Sequence, residues 1–117
     1  MLITELKENE IFVFGSNLNG HHYGGAAKLA FNKFGAVWGE GVGHFGQSYA
    51  LPTLDRMMKK LPLFYINNEL HFLVMYAKNN PHLTFYLTPI GTGIAGFTLE
   101  DMEGIIPDLP GNIIKTF

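Results

Sequence analysis

Residues 91–96 read Gly-Thr-Gly-Ile-Ala-Gly, glycines at the GxGxxG spacing between an apolar run and a helix-like one. A strand-to-helix turn of glycines exposes converging backbone N–H groups at the positive end of a helix dipole, a geometry that suits phosphate. A second polar loop has the same character. There Gly15-Ser16-Asn17 ends an apolar run, and Gly24-Gly25 opens a helix-like stretch of small residues. Asn17 carries both a donor and an acceptor, as a ribose hydroxyl or a water requires. Between them lie His21 and His22. Histidine titrates near neutrality, so either one offers proton transfer, water positioning or metal ligation. Adjacent histidines on a loop point in different directions, so at most one should face a site; a structural role is the plainer reading.

Other chemistries find less support. The dinucleotide fingerprint also needs an acid about 20 residues further on, at the end of a second strand. Only residues 97–117 follow the loop, and Asp108 comes too early, between prolines. A second match, Gly41-Val42-Gly43-His44-Phe45-Gly46, precedes the strand-like QSYALPT, so no helix N-terminus is there to receive a phosphate. No G-K-[ST] occurs, and no Ser/His/Asp series has a nucleophile-elbow sequence. With no cysteine and with His44, His71 and His82 isolated, no zinc spacing is present; neither a metal nor a cofactor is expected. Among the acids, Asp55 follows a strand end and Glu40 lies inside a glycine-dense segment. Glu100 and Asp101 read as first-turn helix acids. Trp38, Phe45 and Tyr49 suit either a base pocket or the core.

The elements that must position these residues alternate. Strands are expected at 11–16, 48–53, 83–90 and 112–117, and helices at 24–35, 62–80 and 98–106. In the first helix Ala27, Leu29, Ala30, Phe31 and Phe34 form an apolar face, with Gly35 as the stop. In the second, Ile66, Leu70, Leu73 and Ala77 follow the helical interval up to Pro81. Thr98 and Asp101 stand at capping-box spacing. LDRMMKK (54–60) holds the only concentration of positive charge and reads as a solvated connection or as a lid. Strand–helix alternation without repeats or linkers predicts one three-layer α/β domain over residues 1–117.

Bulk properties agree. The chain has 117 residues, 47% of them hydrophobic and 15% charged, a globular composition. A chain of this size buries roughly two-thirds of its unfolded surface, enough for a core without disulfides. The net charge of −2 gives no general basic footprint, which argues against general nucleic-acid binding. The charged start MLITELKENE lacks the apolar core of a signal peptide, and LHFLVMYA (70–77) is too short to span a bilayer. A cytoplasmic protein with no membrane association is the expectation.

The order of residues resembles the macro domains, the ADP-ribose-binding modules. ITELKENEIFVFGSN is similar to their opening, in which an I-T-x-L segment leads into a strand ending N-A-A-N. GG-AAKLA resembles the glycine loop and helix that follow, and SYALPT their central strand. TPIGTGIAGFTLEDM resembles their diphosphate-wrapping loop, P-A-I-S-T-G-I-Y-G-F-P. The resemblance implies a mixed sheet between helices and a nucleotide diphosphate ligand such as ADP-ribose. It implies Asn17 beside the distal ribose, Gly24 and Gly25 in the first glycine loop, and Gly91, Thr92, Gly93, Ile94, Ala95 and Gly96 around the diphosphate. Phe97 would flank the distal ribose.

The departures are specific. Leu2 stands where the family's adenine-reading Asp precedes Ile3, Phe14 replaces the first Asn of N-A-A-N, and Ala26-Ala27 stand where hydrolytic members carry an Asp. The candidate ligand-binding set is Gly15, Ser16, Asn17, Gly24, Gly25 and residues 91–97, with Asn17 and His22 as candidate catalytic groups. Binding of ADP-ribose, hydrolysis of an ADP-ribosyl or terminal phosphate bond, and a non-enzymatic interaction role all remain open at this point.

Overall fold

The structure, a computed structural model, describes residues 2–117. Its elements follow in the order β1 (Glu10–Asn17), α1 (Gly25–Lys33), β2 (Gly43–Phe45), β3 (Ser48–Leu54), α2 (Leu63–Asn79), β4 (Thr84–Leu87), α3 (Leu99–Glu103) and β5 (Ile113–Lys115). They make an α/β fold of one mixed five-stranded sheet, ordered β2-β3-β1-β4-β5, and three helices. β1 pairs in parallel with β3 and β4, β4 in parallel with β5, and β2 antiparallel with β3.

β1 is central because both of its faces are apolar, the mark of a strand covered on two sides. Ile11 and Val13 enter one core with Ile66, Leu70 and Leu73 of α2 and Met102 of α3. Phe12 and Phe14 enter a second core with Ala30 of α1 and with Phe34. α2 forms on the expected interval, and Ile66, Leu70, Leu73 and Ala77 are all buried.

Several expectations need correction. SYALPT is not the central strand; β3 lies beside β1 and carries β2 on its other edge. Pro52 is tolerated in β3 because β2 pairs only as far as Ala50, which leaves that edge open. Phe31 does not join the buried face of α1; it is exposed and packs against Trp38. β2 was not expected. It forms a hairpin with β3 around Gly46 (φ +58°) and Gln47. The run 83–90 is strand only as far as Leu87, since Ile90 N–H turns back to donate to Thr88 O at 2.7 Å.

Side-chain amides tie the amino ends of the strands. Asn112 Nδ2 lies within hydrogen-bond reach of the Ala77, Asn80 and Leu83 carbonyls, at 2.9, 3.3 and 3.0 Å. Gln47 Nε2 donates to Lys7 O and Glu10 O at 2.8 and 3.2 Å. No helix among the described residues is long and apolar enough to cross a membrane.

Candidate functional site

The carboxyl ends of β3, β1 and β4 are neighbours in the sheet, so the segments leaving them must meet. They enclose a cavity of about 350 Å³. β1 contributes Gly15, Ser16 and Asn17, α1 its opening residues Gly24–Ala27, and the loop after β4 residues 88–95. Thr53, Leu54 and Met58 close the β3 side. Gly15 shows how near the loops lie: a Cβ there would stand 3.3 Å from Gly91 N.

Backbone amides dominate the chemistry. The residue before α1, Gly24 (φ −154°, ψ 171°), offers no side-chain cap, so the first-turn N–H groups, carried by residues that line the cavity, are left without a side-chain acceptor. Opposite, the loop after β4 closes two internal bonds, Gly96 N–H to Gly93 O and Phe97 N–H to Gly91 O. Among the described residues, the amides of Gly91, Gly93, Ile94 and Ala95 donate to no protein acceptor. Gly91 holds φ +75° and faces Met102 Sδ, so a side chain fits there on neither count.

The serine and threonine hydroxyls of the lining do not compete. Ser16 Oγ donates to Gly41 O, Thr53 Oγ1 to Ser16 O, Thr88 Oγ1 to Val13 O and Thr92 Oγ1 to Pro89 O. Among the described residues, no carboxylate and no Lys or Arg lines the cavity, and His21 and Tyr23 are its only titratable groups.

Asn17 and His22 occupy places that their expected roles did not anticipate. Asn17 is buried, and both arms of its amide are used: Nδ2 donates to His21 O at 2.8 Å, and Oδ1 accepts from His21 N–H at 3.0 Å. It clasps the 17–21 turn rather than reaching outward. His22 is buried outside the cavity lining, edge-on to Phe14 and Trp38, with Nε2 2.9 Å from Val37 O. A carbonyl can only accept, so Nε2 is the donor, and among the described residues Nδ1 has no partner. His21 is the histidine that lines the cavity.

Gly96 and Phe97 lie outside the lining. Phe97 packs against the α2-side core, with the Lys60 ammonium 5.0 Å from its ring centre. The N-terminus of α3 is closed by its own capping box. Thr98 Oγ1 accepts from Asp101 N–H at 3.0 Å, and Asp101 Oδ2 accepts from Thr98 N–H at 3.1 Å. Of the two helices that follow these loops, only α1 presents an uncapped end.

Sequence reading missed the hairpin after β3. Leu54 bridges Lys60, and the Asp55 carboxylate accepts from the N–H groups of Met57 and Lys59 at 2.8 and 3.0 Å. An Asp followed by two residues of its own turn is the signal that could have shown it. A second cavity of about 350 Å³ adjoins the first, sharing Gly25, Ala26, Thr88 and Pro89 and otherwise walled by Leu2, Ile3, Phe12 and Leu29, with Thr116 at its edge.

In comparison with known proteins, no family model, no curated protein and no solved structure matches the chain.

Proposed function

We propose that the chain is a macro-like, three-layer α/β/α domain that binds ADP-ribose or a related nucleotide diphosphate. One observation carries this reading: two sets of backbone amides without protein acceptors, at α1 and in the 91–95 loop, line a single cavity to which no carboxylate among the described residues contributes. Such donors favour an anion because their dipoles are already fixed and the ligand need not reorganise them. The two cores on opposite sides of β1 support the layered arrangement. The adjoining apolar cavity offers room for a base, and with Leu2 at its mouth no acid reads an exocyclic amine.

Binding is a better account than hydrolysis. Asn17 spends its amide on His21, and His22 is turned away from the cavity. Asn17 keeps a second N–H and a second lone pair, but an amide cannot take a proton from water, and His22, which could, lies outside the lining.

Gly93 provides the test. A Cβ there meets no atom within 4 Å, so a longer side chain is accommodated. ADP-ribose at 100-fold above its Kd should stabilise the protein by about 2.7 kcal/mol in thermal unfolding. Gly93→Glu should keep the unliganded stability and lose that shift, since its carboxylate would occupy the amides. Equal shifts in both proteins would refute the assignment of the loop.

A further inference from the structure

The rim of the cavity is unlike its floor. On the β3 side the 54–60 hairpin carries Arg56, Lys59 and Lys60, and among the described residues none of the three pairs with a carboxylate. Asn19 Nδ2 donates to Arg56 O at 2.8 Å, docking the hairpin against the turn that bears His21. Asp55, the acid within the hairpin, is folded inward on the Met57 and Lys59 amides. The His21 turn leads into an aromatic cluster. His21 stacks on Trp38 at 5.0 Å and 11°, and Tyr23 meets Trp38 edge-on at 5.0 Å. Tyr23 lines the cavity yet is 65% exposed, and Trp38 is 44% exposed.

A free nucleotide seated within the cavity leaves the hairpin cations unused, since none of them is in the lining. Exposed rings beside unpaired cations are what single-stranded nucleic acid needs, because bases stack on the rings while the charges follow the backbone. We infer that the physiological ligand is the phosphate-bearing end of a single strand of nucleic acid. Its terminal phosphate enters the amide-lined cavity, the adjoining base stacks on Tyr23, and the next phosphates meet Arg56 and Lys59. This inference rests on the amide-lined cavity being an anion site. It is compatible with a net charge of −2, since three of the chain's eight Lys and Arg residues are gathered within residues 56–60 and recognise an end rather than a duplex.

The experiment compares decathymidylate carrying a phosphate at its 5′ or 3′ end, the same oligonucleotide without phosphate, free ADP-ribose and a phosphoserine peptide. One phosphorylated oligonucleotide should bind more tightly than ADP-ribose, the peptide and the unphosphorylated strand. Tyr23→Ala should weaken it by about 5- to 100-fold and Tyr23→Phe should not, because stacking needs the ring and not the hydroxyl. Arg56→Gln with Lys59→Gln should lower the slope of log affinity against log salt by about 1.4, at roughly 0.7 per phosphate contact. The same pair should leave ADP-ribose affinity within about twofold.

ADP-ribose binding with no gain from the oligonucleotide overturns the inference and spares the diphosphate reading. So does a peptide bound equally well, or a strand bound without regard to its phosphate. Phosphate-dependent strand binding with ADP-ribose unbound does the reverse. If no probe binds, both fall.

Discussion

Gly24 sits where a side chain would act on both folding and ligand. Its extended backbone is open to any residue, and a Cβ there meets nothing within 4 Å. Gly24→Asp should therefore supply the side-chain cap that α1 lacks, raising stability by about 0.3 kcal/mol in chemical denaturation. The same carboxylate would take the first-turn amides, so the stabilised variant should lose anion binding in a thermal-shift titration. A variant that is more stable and still binds would show that α1 is not part of the anion site. The glycines around the cavity were legible in the sequence because glycine has few other reasons to cluster at strand ends. The engagement of Asn17 was not: its partner is the His21 backbone, and no residue type announces a main-chain partner. The choice between His21 and His22 was equally hidden, since it depends on which ring Phe14 and Trp38 enclose.

Among the elements, the glycine-dense segment after α1 makes a close approach that only glycine permits. It packs on the end of β1: Ser16 Oγ donates to Gly41 O, and a Cβ on Gly41 would collide with the Asn17 carbonyl oxygen. Gly41→Ala should force β1 and the 17–21 turn apart, at a cost of about 1–3 kcal/mol measured by denaturant unfolding. An alanine tolerated without loss would mean that this contact is not tight. β2 escaped notice for a related reason. Gly-His-Phe has little strand propensity, and its pairing comes from Ala50, Tyr49 and Ser48 opposite. Helices α1 and α2 were legible in outline because their apolar residues recur at the helical interval. Their exposed exceptions, such as Phe31, were not, because exposure depends on what lies across the fold.

At the scale of the whole molecule, the core carries its own titration. Burial pushes the Tyr49 phenol up to about 12, with lesser contributions from Glu69 and Tyr76. The folded state thus holds this proton more strongly than the unfolded chain, whose phenol titrates near 10. The resulting stability is complete below pH 10 and is lost as pH rises towards 12. Tyr49→Phe should flatten stability against pH across that interval in denaturant titrations; an unchanged alkaline slope would assign it to other groups. Strand–helix alternation made the α/β class readable, and the apolar run IFVF a buried strand, but the centre of the sheet fell to that strand and not to SYALPT. The sheet order was not readable, because which strand lies beside which is decided by crossovers that leave no local trace.

Asn112 and Gln47 fasten the amino ends of the strands far from the loops at the carboxyl ends. Assembly of the sheet and recognition of a guest are thereby assigned to opposite poles. Substitutions in the rim can alter what the cavity accepts without loosening the knots that keep the chain in register. A scaffold divided in this way can change its specificity while its architecture stays the same.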